Sequence, residues 1–98
     1  MILQPSFGRM ARKEYGAAVR WYDKHRRGLG AEFEAEIQRT LARACEGPRR
    51  FVKVVADVHR IRVHRFPFVI FFRVRQDRLI VLAVFHARRD PTIWHERT

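Results

Sequence analysis

The stretch from residue 59 to residue 89 constrains the fold more than any other part of the chain, because it contains three consecutive runs typical of β-strands. The runs read HRIRVHRF, FVIFFRVR and RLIVLAVFHARR, with Pro67 between the first two and Asp77 between the last two. Segments rich in β-branched and aromatic side chains, bounded by turn or charged residues, are typical of paired strands. The sequence therefore predicts a three-stranded antiparallel meander.

Two runs of apolar residues at helical spacing precede this stretch. The first covers about residues 7–24, has Ser6 as its expected N-cap, and is marked by Ala11, Tyr15, Ala18 and Tyr22. The second covers about residues 30–46, is ended by Gly47 and Pro48, and is marked by Phe33, Ile37, Leu41, Ala44 and Cys45. A further short strand is expected at residues 2–3, ending before Pro5.

These elements predict one domain over residues 1–98 with an α+β fold, in which an N-terminal helical hairpin packs on a small antiparallel β-sheet. A chain of 98 residues supplies one hydrophobic core and no second domain. The only cysteine, Cys45, lies on the apolar stripe of the second helix, so we predict a small buried hydrophobic residue rather than a reactive thiol.

The predicted sheet has apolar residues on both faces. Alternation with a period of two places Ile61 and Val63 on one face of the first strand, and Arg60, Arg62 and His64 on the other. In the last strand it separates Ile80, Leu82, Val84 and His86 from Leu79, Val81, Ala83 and Phe85. Because two helices cover only one face of a small sheet, we predict a large apolar patch on the second face, bordered by arginines, that binds a partner.

The charge balance points to a polyanionic partner. The chain has 21 Lys and Arg against 10 Asp and Glu, a formal net charge of +11, and nearly all of the basic residues are Arg. The planar guanidinium group binds phosphates and carboxylates with two parallel hydrogen bonds. We therefore expect either a nucleic acid or an acidic protein as the partner.

Several classes of protein are disfavoured. The longest apolar runs are about seven residues, too short to span a bilayer, and the N-terminus lacks the apolar segment of a secretory signal. With one cysteine and no disulfide, a cytoplasmic location is expected. Four of the five histidines, His59, His64, His86 and His95, have no metal-ligand spacing, so neither a metal nor a cofactor is expected.

Several short motifs together resemble the RelE/ParE superfamily of bacterial type II toxins. They are Trp21-Tyr22, GLGAEF at residues 28–33, Gly47-Pro48, RFPF at residues 65–68 and AVFHARRDP at residues 83–91, with Trp94 and Arg97 near the end. The resemblance covers nearly the whole chain. It implies a small α+β toxin encoded with a cognate antitoxin, whose acidic or amphipathic C-terminal segment wraps the toxin in a hetero-oligomer and neutralises it.

The resemblance implies two alternative activities. RelE-like members cleave mRNA on the ribosome without a metal, and here His86, Arg88 and Arg89 would be catalytic, with Arg60, Arg62 and Arg73 completing a basic groove for the scissile phosphate. ParE-like members instead poison DNA gyrase. The C-terminal region has no Tyr, and the closing HARRDP pattern is more similar to the ParE-like branch, which we therefore favour.

Partner or target binding is predicted for six residues: Arg60, Arg62, Phe71, Arg73, Trp94 and Arg97. A protein of another class, a non-toxic nucleic-acid-binding module, remains an alternative because a Phe-rich sheet with interleaved Arg can stack bases. That function needs aromatic side chains on the open face of the sheet, whereas most of the Phe residues here are predicted to alternate toward the helices.

Overall fold

The computed structural model describes residues 2–89 and Arg97. Within this part of the chain the elements are β1 (Gln4–Phe7), α1 (Arg9–His25), α2 (Leu29–Glu46), a 3₁₀ turn (Pro48–Arg50), β2 (Lys53–Val55), β3 (Val58–Arg62), β4 (Phe68–Arg75) and β5 (Arg78–His86). The strands form one sheet in the order β1-β5-β4-β3-β2, in which β1 runs parallel to β5 and the other pairs are antiparallel. The predicted α+β class is confirmed.

The turn between the two helices depends on two glycines with different functions. Gly28 has φ of +89°, a left-handed conformation that glycine adopts without a steric penalty. Gly30 lets the helices approach closely, because a Cβ atom there would lie 2.7 Å from the carbonyl oxygen of Val19. The Oδ1 atom of Asp23 accepts hydrogen bonds from the backbone N–H groups of both glycines, at 3.0 and 3.1 Å.

The predicted helical stripes form the core. Ala11, Ala18 and Tyr22 of α1 are buried, and Tyr15 packs against them as a half-buried residue. All five predicted residues of α2 are buried, including Cys45, where burial raises the pKa of the thiol. The Tyr22 ring meets Phe33 and Phe66 with centroids 5.1 and 4.9 Å apart. Burial of these large rings supplies much of the hydrophobic stabilisation.

The N-terminal predictions need correction. The first strand is residues 4–7 rather than 2–3, and it contains Pro5, which an edge strand tolerates because one side of its backbone makes no ladder hydrogen bonds. Ser6 therefore lies in β1, and Gly8 is the N-cap of α1 without a side-chain hydrogen bond. The three strands of the predicted meander are flanked in the sheet by β1 and β2.

The predicted alternation fails in the middle of β5. Phe72 pairs with Val81 while Phe71 pairs with Ala83, so Leu82 is an extra residue in the ladder. Such a β-bulge places two consecutive residues on the same face. Consequently Leu79, Val81 and Val84 face the helices, whereas the opposite face carries Ile80, Leu82, Ala83 and Phe85.

The second face of the sheet is closed, and the predicted open apolar patch is wrong. Its cluster of Val58, Phe71, Leu82, Ala83 and Phe85 is no more than 6% exposed at any residue. The guanidinium carbons of Arg89 and Arg97 lie 4.7 and 5.1 Å from the centroid of the Phe85 ring. Exposed large apolar side chains lie elsewhere, notably at Trp21 of α1 and at Val52, Val54 and Val55 around β2. No helix between residues 2 and 89 is both long and apolar enough to cross a membrane.

Candidate functional site

A groove of about 620 Å³ lies between α1 and the C-terminal half of β5. Its apolar lining includes Ala17, Ala18, Trp21, Tyr22, Phe68 and Val84. Trp21 is 56% exposed, and its ring stacks on His25 with centroids 3.7 Å apart. The ring of Trp21 is therefore fixed in place while one side of it stays open to a partner. We call this feature the α1–β5 groove.

The polar rim of the α1–β5 groove contains Lys13, Glu14, His86 and Arg89. The Oε1 atom of Glu14 accepts a hydrogen bond from the backbone N–H of Val84 at 3.0 Å. The same carboxylate accepts hydrogen bonds from Arg97 at 2.9 Å and from Arg89 at 3.3 Å. Lys13 makes no ion pair with the described residues, so the rim presents a free cation to the groove.

The three residues predicted for catalysis lie together at the C-terminal end of β5. His86 is exposed, and its Nδ1 atom lies 3.2 Å from the backbone nitrogen of Arg88. The guanidinium group of Arg89 is occupied by the Glu14 carboxylate and by the Phe85 ring. His86 and Arg89 also line a small cavity of about 110 Å³ with Arg60, whose residue opposite in β4 is Phe71.

The other predicted arginines separate into two groups. Arg73 is 17% exposed and donates to Asp57 at 2.8 Å, and Arg75 contacts the same carboxylate. These two guanidinium groups hold the pKa of Asp57 well below its usual range. Arg60 and Arg62 are exposed on β3 and make no ion pair with any described residue. The predicted basic groove is thus not one continuous set of free cations.

The remaining predicted residues have less accessible positions. Phe71 is 3% exposed within the second-face cluster. Arg97 is 14% exposed and donates to Glu14 and to the carbonyl oxygen of Leu82. Trp94 lies outside the described residues. Partner or target binding by these residues stays a prediction.

Two features of the site were not singled out as functional from the sequence. The first is the α1–β5 groove, although the i, i+4 spacing of Ala17 and Trp21 beside the buried stripe is a usable signal. The second is a cationic cavity that joins Arg43 and Arg50 to the two free arginines of β3. Between residues 2 and 89 no group of three His, Cys, Asp or Glu side chains is placed to hold a metal ion.

The fold defines the class of protein. A solved structure titled "Chromosomal ParDE TA system from P. aeruginosa" matches with a TM-score of 0.74 at 16% identity, covering 87% of this chain and 96% of that chain. This likeness shows that the two chains share an α+β fold. The profile of the family described as "ParE toxin of type II toxin-antitoxin system, parDE" matches residues 6–91. The chain belongs to this ParE toxin family, which confirms the predicted superfamily and branch. No curated protein matches the sequence at a significant level.

Proposed function

We propose that this chain is a growth-inhibiting toxin that poisons DNA gyrase, and that a cognate antitoxin neutralises it by laying an amphipathic C-terminal segment in the α1–β5 groove. The proposed binding of the antitoxin rests on the α1–β5 groove itself, which has a volume of about 620 Å³ and is lined by a fixed, half-exposed Trp21. Tryptophan side chains held in this way are typical of the residues that dominate binding energy at protein interfaces.

The chemistry of the groove fits an amphipathic segment. Ala17, Trp21 and Phe68 present apolar surface, which suits residues spaced three and four apart on one face of a helix. Lys13 on the rim suits an acidic residue on the polar face of that segment, and the net charge of +11 favours the encounter with an acidic protein. A toxin–antitoxin hetero-oligomer in the cytoplasm follows from this proposal.

Two observations favour gyrase poisoning over RNA cleavage. Arg89 is occupied by Glu14 and Phe85, so its charge is already partly neutralised within the fold. Both tyrosines of the chain lie in α1; of these Tyr22 lines the α1–β5 groove, but its burial raises the pKa of the phenol and makes it a poor base at neutral pH. The carboxylate of Glu14, on the same rim as His86, is already engaged by Arg89, Arg97 and the N–H of Val84. Among the described residues, no carboxylate near His86 is therefore free to act as a general base.

A RelE-like ribonuclease remains the second candidate function. Arg60, His86 and Arg89 line the same cavity of about 110 Å³, so an imidazole lies close to two guanidinium groups. An imidazole near neutral pH can move a proton, and guanidinium groups stabilise the charge that develops on a phosphate. A non-toxic nucleic-acid-binding module is less well supported, because Phe71 and Phe85 are the only described aromatic residues on the second face of the sheet and both are buried.

The target is tested by pulse labelling after brief induction of the chain in bacteria, following thymidine and methionine incorporation together. A fall in thymidine incorporation before methionine incorporation is the expected result, and purified gyrase should then accumulate cleaved plasmid DNA in the presence of the chain. An immediate fall in methionine incorporation would contradict the gyrase proposal. In that case His86→Ala and Arg60→Ala should restore translation if the small cavity is a ribonuclease site.

The groove is tested with Trp21→Glu, using Met10→Glu as the matched control because Met10 is also exposed on α1 but does not line the groove. The probe is the acidic protein encoded beside the toxin, co-expressed and co-purified. We expect Trp21→Glu to weaken the complex at least about 30-fold, the loss typical of a central interface tryptophan. Equal binding by both variants would place the antitoxin elsewhere.

A further inference from the structure

A second cavity, of about 360 Å³, lies at the outer edge of β3 and is strongly cationic. Four arginines line it, Arg43, Arg50, Arg60 and Arg62, above Phe51 and Ile61. Over the described residues no Asp or Glu side chain lines this cavity. We propose that this arginine cavity binds the phosphodiester backbone of a nucleic acid, a site separate from the α1–β5 groove.

The fold gathers these arginines from three elements that are distant in sequence. Arg43 lies in the last turn of α2, Arg50 ends the 3₁₀ turn, and Arg60 and Arg62 lie on β3. The strand β2 is short, and among the described residues the last backbone hydrogen bond on this edge runs from the N–H of Arg60 to the carbonyl of Val52 at 2.8 Å. The outer edge of β3 beyond Arg60 is therefore open to a ligand. Arg60 and Arg62 share a face of the strand, about 6.6 Å apart along it.

Arg50 is held in place before any ligand binds. Its guanidinium group donates to the backbone oxygen of Arg43 at 3.2 Å and to that of Gly47 at 3.5 Å, which satisfies carbonyl groups at the end of α2. It also lies 5.8 Å from the centroid of the Phe51 ring. The remaining N–H groups of a guanidinium stay available, because each one carries five donors. A fixed arginine loses less conformational entropy when a ligand binds.

The charges in this cavity are not neutralised within the described part of the protein. Other arginines form ion pairs with Glu14, Glu32, Glu36 or Asp57. None of the four arginines of the cavity takes part in such a pair. A cluster of guanidinium groups without acidic partners suits a row of phosphates, which have one charge each and accept two parallel hydrogen bonds. Contacts to phosphate oxygens carry no direct sequence information, so binding through this cavity is expected to be independent of sequence.

The test measures binding of the purified full chain to a short fluorescent duplex DNA as a function of salt. If all four arginines each neutralise one phosphate, the slope of log K against log salt contains a contribution of about −3.6 from this site. The variant Arg43→Glu/Arg62→Glu should make that slope shallower by about 2. Arg50 is left unchanged because it caps α2, and Arg60 because it also lines the smaller cavity.

The matched control is Arg9→Glu/Arg20→Glu, which makes the same change in net charge at two exposed positions of α1. The control should retain a slope close to that of the wild type. An equal loss of slope in both double variants would overturn the proposal, because net charge alone would then account for binding. Thermal melting followed by circular dichroism establishes that each variant is folded.

Two further probes identify the ligand. If a short single-stranded RNA binds more tightly than the duplex, and Arg43→Glu/Arg62→Glu loses the same part of the salt slope, the ligand is RNA. If the duplex binds more tightly, the ligand is DNA. Binding of polyglutamate alone would overturn the proposal in favour of an acidic protein segment. These measurements contain no gyrase, so their outcome does not depend on the gyrase assignment, and a failed gyrase test would leave them unchanged.

Discussion

Arg97 binds Glu14 through both of its terminal nitrogens, Nη1 to Oε1 and Nη2 to Oε2, each at 2.9 Å. The two residues are 83 positions apart, and both side chains are at least 86% buried. Nη1 of Arg97 also donates to the carbonyl of Leu82, while Glu14 accepts the N–H of Val84. Two side chains thus satisfy backbone groups on the part of β5 that extends beyond its pairing with β1.

Removing this ion pair should destabilise the fold. We expect Arg97→Ala to lower the free energy of unfolding by about 2–4 kcal/mol, because a largely buried carboxylate loses its main cationic partner. The midpoint of thermal unfolding should then fall by about 10 °C or more. Arg88→Ala is the control, since Arg88 is exposed at the end of β5, and it should change stability by no more than about 0.5 kcal/mol. Equal stability of the two variants would contradict this assignment.

Acid should weaken the turn that joins β2 and β3. The pKa of Asp57 is lowered in the folded state by Arg73 and Arg75, so its ion pairs stabilise the fold fully above the unfolded pKa of about 3.9. This stabilisation is lost as the pH falls from that value toward the lower folded pKa. Asp57→Asn should therefore show a smaller loss of stability on acidification than the wild type, measured by urea unfolding. Glu46→Gln, an exposed carboxylate in no described ion pair, should retain the wild-type dependence.

Substitution of two glycines in the helical hairpin by alanine should have opposite effects on stability. Gly30→Ala should lower the free energy of unfolding by about 1–3 kcal/mol, because the new methyl group would lie 2.7 Å from a backbone oxygen of α1. Gly16→Ala should instead raise it by about 0.5–1 kcal/mol, because alanine favours the helix and its methyl group meets only the mobile end of Arg20 at 3.2 Å. Guanidinium denaturation curves for the pair measure both effects. A stable Gly30→Ala variant would mean that the helices can move apart freely.

The turn between β4 and β5 contains a residue in an unfavourable conformation. Gln76 has φ of +58°, which a residue with a side chain adopts at a cost. Gln76→Gly should stabilise the protein by about 0.5 kcal/mol, after the greater entropy of glycine in the unfolded chain is included. Gln38→Gly, in the interior of α2, is the control and should destabilise by about 1 kcal/mol. A loss of stability in both variants would show that the side chain of Gln76 contributes to the turn.

Local pattern was sufficient to predict the helices, because their residues pack at a regular spacing that the sequence displays directly. It was not sufficient for β5, where the extra residue Leu82 changes which side chains lie on each face of the sheet, and no local signal in the sequence marks this bulge. It also missed β1 as a partner of β5, since a four-residue strand that contains proline has little strand character of its own.

The site was only partly predictable, because the sequence gives the number of charged residues but not which of them form ion pairs in the fold. Arg73 and Asp57 are 16 positions apart, and only the fold shows that this arginine is already engaged. Conversely, Arg43 and Arg50 were not predicted to be functional, because they lie on α2 and the 3₁₀ turn, outside the predicted strands that contain most of the other candidate arginines. The apolar groove was missed for a related reason: its two walls come from α1 and from β5, at opposite ends of the sequence.

The position of β5 has a consequence for the synthesis of this protein. Gln4 pairs with Arg78 and Phe7 with Val81, so the first strand of the chain completes its ladder only on the last strand. As the chain leaves the ribosome from its N-terminus, β1 and both helices emerge well before the strand that they pack against. We therefore expect folding to finish only after β5 has left the ribosome, and to be slower than that of a helical domain of the same length.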